Sequence, residues 1–280
     1  MKERFFPVML ERGLVSADGS RLATPLTAEE AAFLGFVPES PCPVPLFVSG
    51  VCASTFDVAW ELCRTCAMPP WSGVLAVAQT NGRGQLRREW ISPPGNLHVS
   101  FFLPPDMERL GNMAPLAMGY CVHRALRAMG IKTRLKWPND LLLRRAGKEG
   151  KFGGLLLEER NGRLLAGLGL NLRHAPDEGA MRADRAVPAV SLPSFTGSVF
   201  AFWRSLVGAM RENHARRIAG ASREILRRRI ETSLAWMGRP VYAEDGGIRG
   251  LVRGLAADGS LALQTDAGPA VVASGGIRPL

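Results

Sequence analysis

Lys136-Trp137-Pro138-Asn139-Asp140, Lys151-Phe152-Gly153-Gly154-Leu155-Leu156-Leu157-Glu158 and Gly167-Leu168-Gly169-Leu170-Asn171-Leu172 are three runs in which apolar strand texture is broken by polar and glycine residues at fixed places. They belong to a series of short apolar segments, 131–137, 141–144, 152–158 and 164–172, punctuated at 145–150 and at Asn161-Gly162, a strong hairpin dipeptide. The series reads as strands. Pro138 holds Trp137 extended and fixes the direction of the two polar side chains after it. An Asn and an Asp presented between apolar strands are costly unless they have partners. The glycine pair after Lys151 fits a space cleared for a ligand and equally a tight strand crossing. In 167–171 alternate residues lack side chains on one strand face and an amide ends the row, so a flat molecule could lie there.

Upstream, 73–78 reads as a buried strand and leads into Gln79-Thr80-Asn81-Gly82-Arg83-Gly84-Gln85-Leu86-Arg87-Arg88-Glu89-Trp90. Glycines let backbone N–H groups approach an anion, and arginines supply forked donors to carboxylate or phosphate oxygens. It is no Walker loop, since no Gly-Lys-Ser/Thr follows, and no dinucleotide fingerprint, since a third glycine is missing. By itself it is as much a basic surface turn as a binding loop. Further out, 46–48 predicts a strand, 55–67 a helix and 96–103 a strand. A helix over 113–129 should end at Gly130, and two more are expected over 197–219 and 222–237.

The ends differ in texture. Residues 1–45 are rich in Pro, Ser and Gly and hold at most a short helix, begun by the capping-box pair Thr27 and Glu30. They read as an extension. After Gly238-Arg239-Pro240, strands of four to eight residues alternate with Asp-Gly turns and predict a small antiparallel barrel. The chain therefore divides into an extension (1–45), a main domain (46–237) and a C-terminal domain (238–280).

A chain of 280 residues, 46% hydrophobic and 21% charged, is globular in composition. It has no stretch of the roughly 20 apolar residues a membrane helix needs, and the apolar run in its first ten residues is too short for a signal peptide. A cytoplasmic protein is expected. Five cysteines without a framework argue for free thiols, including Cys63 and Cys66, whose C-x-x-C spacing lies in a helical apolar pattern with no second pair to complete a zinc site. The net charge of +10 suggests anionic partners. Much of it, at Arg216, Arg217, Arg223, Arg227, Arg228 and Arg229, accompanies a helical apolar period and reads as solvated helix surface.

Taken in order, these segments resemble the biotin protein ligase family. Its motifs G-R-G-R-x-G-R-x-W, S-P-x-G-x-N-L, K-W-P-N-D, K-x-x-G-I-L-x-E and G-x-G-x-N correspond here to 82–90, 92–97, 136–140, 151–158 and 167–171. Ser54-Thr55 resembles the family's substrate-contacting pair. The resemblance runs from about Phe47 to the end, and five motifs in order are specific where one would be weak. It implies an α+β fold, a mixed sheet flanked by helices, with a small SH3-like C-terminal barrel. It also implies an activity: biotin and ATP form biotinyl-5′-AMP, and the acyl group passes to a lysine of a biotin carboxyl carrier protein.

Carried over residue by residue, the resemblance places Ser54, Thr55, Gln79 and the backbone at Gly82 on the biotin head, with Gly154 and Leu156 along its chain. Arg83, which would also contact biotin, and Arg88 would meet the nucleotide's phosphates, Gln85 and Lys136 would contact the nucleotide, and Trp90, Asn139 and Asn171 would frame its adenine. Lys151 would bridge the biotin carboxylate and the α-phosphate, so that Lys151, Arg83 and Asp140 form the catalytic set. Mg²⁺ would accompany ATP, with Asp140 its candidate ligand, directly or through water. Asp140 is also the candidate to help deprotonate the carrier lysine. No prosthetic group, DNA or membrane is implied, and the protein would be a monomer or homodimer.

The pattern has departures. Gln85 stands where the family has arginine, Arg87 where it has glycine and Phe56 where it has asparagine. One residue is missing between Gly95 and Asn96, and the turn before Lys151 is longer. These changes leave a lipoate or octanoate ligase of the same fold, and a binding protein that has lost turnover, as alternatives. Residues 1–45 are too few and too Pro/Gly-rich for a winged helix, so a DNA-binding repressor role is not expected.

Overall fold

In the computed structural model, the residues described are 8–9, 14–15, 21–145, 147–176 and 187–280. In chain order the elements are β1 (Val8–Met9), β2 (Leu14–Val15), β3 (Arg21–Ala23), α1 (Ala28–Leu34), β4 (Leu46–Cys52), α2 (Thr55–Thr65), β5 (Gly73–Gln79) and β6 (Leu97–Phe102). Then follow α3 (Ala114–Ala128), β7 (Thr133–Lys136), β8 (Asp140–Arg145), β9 (Lys148–Arg160), β10 (Arg163–Leu170), α4 (Val199–Arg217) and α5 (Arg223–Glu231). The last are β11 (Pro240–Ala243), β12 (Ile248–Leu255), β13 (Leu261–Thr265), β14 (Gly268–Val272) and β15 (Ile277–Pro279). They fall into two compact units: one of residues 1–105, 153–176 and 191–208, the other of 106–152, 177–190 and 209–280.

The first unit is built on a mixed sheet in the order β2-β3-β4-β5-β6-β10-β9, with β1 also against β4. β4 and β5 run parallel, and the pairs β5/β6, β6/β10 and β10/β9 are antiparallel. Register fixes which side chains share a face, because directly paired residues point the same way. One face carries the row Val74, Ser100, Gly167, Leu156 and beside it the row Ala76, His98, Gly169, Gly154. α2 covers this face, its Phe56, Val58, Ala59 and Leu62 packing with Val74, Ala76, Phe102 and Leu165. The opposite face holds Phe101, stacked 5.9 Å from Trp71 and tilted 5.5 Å from the fully buried Trp203.

The hairpin at Asn161-Gly162 has φ of 51° and 71°, the double left-handed turn that a two-residue connection requires. Thr27 and Glu30 cap α1 reciprocally. The extension also contributes the short strands β1, β2 and β3, which a count of its turn residues does not reveal. β1 and β3 both pair with β4 and cover the edge that β5 leaves.

In the second unit the first residues of β9 continue to β8 and β7, with α3 against β7 and β8, and α5 against α3. α3 ends before Gly130, whose φ is 84°. β11–β15 form an antiparallel sheet ordered β14-β13-β12-β11-β15. Among the described residues that path is open, so the expected barrel is not closed. Both outer strands carry a proline, Pro269 and Pro279, which cannot donate to a closing ladder. Trp137 ties this sheet to the β7–β8 turn: its buried indole N–H donates to the Gly259 carbonyl at 3.1 Å.

All five cysteines are free. Cys42, Cys52 and Cys121 are buried as packed thiols, whereas Cys66 is exposed and Cys63 half-buried. Among the described residues no helix is long and apolar enough to cross a membrane.

Candidate active site

In the first unit, the end of β4 delivers Ser54 as the N-cap of α2, its hydroxyl accepting from the Phe56 N–H. Thr55 follows on the first turn. Its backbone N–H and its hydroxyl both donate to Gln79 Oε1, at 2.8 and 3.1 Å. Since the Thr55 proton goes to Gln79, the 2.7 Å contact between Thr55 Oγ1 and Ser100 Oγ has Ser100 as donor. At the other end Gln79 Nε2 donates to Ser92 Oγ (2.8 Å), and Ser92 donates to the Trp90 carbonyl (3.0 Å). Five residues thus form one directed chain that holds the expected head-group residues rigidly together.

The basic loop closes over its own backbone, with Gly82 O accepting from Trp90 N–H at 2.8 Å and Gly84 N–H donating to Arg88 O at 2.7 Å. A Cβ at Gly82 would meet Trp90 O at 2.3 Å, so glycine is required there. Arg83 donates to Asp57 Oδ1 at 2.8 Å, lies 3.5 Å from Glu158 Oε1, and places its guanidinium 5.2 Å from the Phe56 ring centroid. Gln85 and Arg88 sit farther along the loop beside Leu86, which is exposed with φ 55°. The Arg87 side chain lies outside the described residues, as do Ala146 and much of 1–20.

The glycine row has a use the spacing did not indicate. A Cβ on Gly167 would fall 2.4 Å from the Phe56 ring, and one on Gly169 would fall 2.5 Å from the Trp90 indole. The bare strand face therefore seats two of the protein's own aromatic rings. Gly153, likewise, marks a close strand crossing: its Cβ would collide with Leu170 at 2.4 Å. Gly154 and Leu156 fall on the α2 side of the sheet with Ser100 and His98, and Asn171 is buried at the end of β10.

In the second unit, the β7–β8 pair sets Lys136 opposite Asp140. Lys136 Nζ reaches Asp140 Oδ2 at 2.9 Å and Lys151 Nζ reaches Oδ1 at 2.7 Å. Burial pushes the Asp140 carboxyl up, but the ammonium groups of Lys151 and then Lys136 outweigh it and hold the group far below the usual carboxylate range. Lys151 is fixed through its backbone, which donates to Pro188 O at 2.7 Å and accepts from Val190 N–H at 2.9 Å. Its side chain remains 32% exposed, so the ammonium can also meet an outside anion. Asn139, next to Asp140 in sequence, is buried as well. Both Asp140 oxygens are engaged by lysines, and among the described residues no group of three His, Cys, Asp or Glu could hold a metal. A Mg²⁺ ion bound directly to Asp140 does not fit this arrangement.

His98, Ser100 and Asp57 were not singled out by the sequence, and Ser92 entered only as the first residue of a motif, with no role of its own. The signal that could have found two of them is strand period: His98 and Ser100 stand two apart on β6 and share one face. His98, and in the second unit His123, are each lowered to about 4, by burial first. A histidine lowered on folding stabilises the fold fully above its ordinary value of 6.5 and loses that contribution as pH falls toward 4. Urea unfolding at pH 5 should accordingly show about 2 kcal/mol less stability per histidine than at pH 7. His123→Phe should remove one histidine's share of the difference.

Residues 50–173 match the model of the biotin/lipoate A/B protein ligase family. A biotin–[acetyl-CoA-carboxylase] ligase of Paracoccus denitrificans is 36% identical over 136 residues, 44% of this chain and 53% of that protein. The bifunctional ligase/repressor BirA of Bacillus subtilis is 34% identical over 137 residues, 48% of this chain and 42% of its own. Among solved structures, the biotin protein ligase of Aquifex aeolicus in complex with biotin and ATP superposes with a TM-score of 0.69 at 26% identity. That match covers 84% of this chain and 99% of the other. The chain spans about half the length of the curated relatives it matches.

Proposed function

We propose that this chain, whose residues 50–173 match the model of the biotin/lipoate A/B protein ligase family, is a biotin protein ligase, forming biotinyl-5′-AMP from biotin and ATP and transferring the biotinyl group to a carrier-protein lysine. The observation that carries the reading is Lys151: a strand-anchored ammonium, paired with a buried carboxylate yet one-third exposed. Adenylation brings a carboxylate onto the α-phosphorus and expels pyrophosphate. A fixed cation favours it most as charge moves onto the leaving phosphates. In the second step a carrier amine attacks the acyl carbon and AMP leaves.

The chain's own residues divide that work. The Ser100–Thr55–Gln79–Ser92 chain with Ser54 and Gly82 is suited to a polar bicyclic head, and Gly154 and Leu156 to its aliphatic chain. Arg83, Gln85, Arg88 and Lys136 would face phosphate, and Trp90, Asn139 and Asn171 the adenine. Arg83 must share or leave Asp57 and Glu158 to do so. Mg²⁺ would enter as the counter-ion of ATP and neutralise its phosphates, without a ligand from Asp140. Residues 46–237 are the proposed catalytic domain and 238–280 a small C-terminal domain, in a cytoplasmic monomer or homodimer. The test is pyrophosphate release from ATP that depends on biotin, followed by labelling of a biotin carboxyl carrier domain. Release driven by lipoate or octanoate, and not by biotin, would shift the reading to the related ligases.

The loop departure predicts a leaky intermediate. Gln85 can hydrogen-bond but carries no charge, and a charge-assisted bond is roughly twice as strong as a neutral one. Gln85→Arg should lower free biotinyl-adenylate and labelling of unrelated lysines by about fivefold, the effect of roughly 1 kcal/mol. Equal release from both proteins would remove the retention argument.

A further inference from the structure

We infer that His98 Nδ1 accepts a hydrogen bond from a ureido N–H of the bound acyl substrate, making His98 a specificity-determining residue of this site. The inference rests on the biotin reading above and adds to it a residue that no motif includes. His98 is 1% exposed, in the middle of β6. Its Nε2 lies 2.9 Å from the Pro93 carbonyl, which can only accept, so Nε2 carries the proton. Nδ1 is therefore a bare acceptor. It is buried and has no hydrogen-bond partner among the described residues. Burial lowers the imidazole to about 4, so it stays neutral at physiological pH and keeps that lone pair.

Position then says what the lone pair is for. Pairing places His98 between Ala76 and Gly169, in a row completed by Gly154. It is the one member of that row with a side chain larger than methyl. On the same face, two residues along β6, Ser100 begins the chain to Thr55, Gln79 and Ser92. In that chain each hydroxyl proton is donated internally, one Gln79 amide proton goes to Ser92, and Gln79 Oε1 already accepts two. Ser92 precedes Pro93, the residue that orients the imidazole. The head-group cluster thus leaves one buried acceptor with nothing to accept, and a cyclic urea is a planar group with two N–H donors. A buried acceptor left unmet is costly, so the site should favour ligands that supply the proton and discriminate against those that do not.

The test uses the full chain with biotin and its two cyclic-carbamate analogues, in each of which one ureido N–H is replaced by oxygen. Calorimetry on the wild type should show biotin binding about tenfold or more tighter than one of the two isomers. In His98→Phe, which keeps a buried aromatic ring, that ratio should fall to within about twofold of unity. Loss of the bond to Pro93 could unfold this variant, so a second readout uses the wild type: the ¹⁵N resonance of His98 Nδ1 should move on biotin addition as a free acceptor becomes a bonded one. Unchanged discrimination in a folded His98→Phe, or an Nδ1 resonance that stays still while biotin binds, overturns the inference and leaves the ligase reading standing. Absence of biotin binding by the wild type overturns the reading itself, and the inference with it.

Discussion

Lys151→Ala should reduce biotin-dependent pyrophosphate release by about a thousandfold, the equivalent of roughly 4 kcal/mol of transition-state stabilisation. The loss should fall on kcat, because the ammonium matters most as charge shifts to the leaving pyrophosphate. Folding should survive: the strand position is fixed by backbone bonds to Pro188 and Val190, which alanine keeps, and Asp140 retains Lys136. Lys151→Arg should recover part of the activity. Lys148, also a candidate because the preceding turn is long, is exposed at the start of β9, and Lys148→Ala should leave turnover within about twofold. A Lys151→Ala protein within tenfold of wild type in a single-turnover assay would take the central role away from this residue.

Asp140→Asn should be damaging for a different reason. The substitution keeps shape but removes the anion between two ammonium groups at 2.9 and 2.7 Å. Breaking a buried pair costs about 3–5 kcal/mol, because the remaining charges are uncompensated. The pH signature separates this from a general packing defect. A carboxyl held low in the fold contributes stability above its ordinary value of 3.8 and loses it as pH falls below that. Wild type should therefore lose stability on the acid side of pH 4, while Asp140→Asn starts lower and loses less there. Matching acid limbs for the two proteins would show that Asp140 is not the charged centre of the cluster. Turnover should fall with stability, since Lys151 loses the partner that fixes its ammonium.

The strands around the motifs were legible because the local signals and the tertiary structure agree. Asn161-Gly162 forms the left-handed turn its residues favour, Gly130 follows α3, and Thr27 with Glu30 caps α1. Closure of the C-terminal sheet was not legible, because it depends on how strands distant in the chain find each other, which no local signal reports. The motif residues Lys136, Asp140 and Lys151 do come together, as do Ser54, Thr55 and Gln79. What the sequence hid was pairing across distance. Nothing near Arg83 announces Glu158, nothing in 167–169 announces that Phe56 and Trp90 will lie on those glycines, and His98 becomes visible only once register puts it beside Ser100.

The bond from the Trp137 indole to the Gly259 carbonyl bears on how such a protein can be rebuilt. A buried indole N–H needs its acceptor, and here the acceptor belongs to a turn more than a hundred residues away in the chain. Grafting the C-terminal strands of a relative onto this chain would succeed only if the graft presents a carbonyl at the same place. The tryptophan of the Lys136–Asp140 motif and the turn after β12 are thus a matched set, to be exchanged together or not at all.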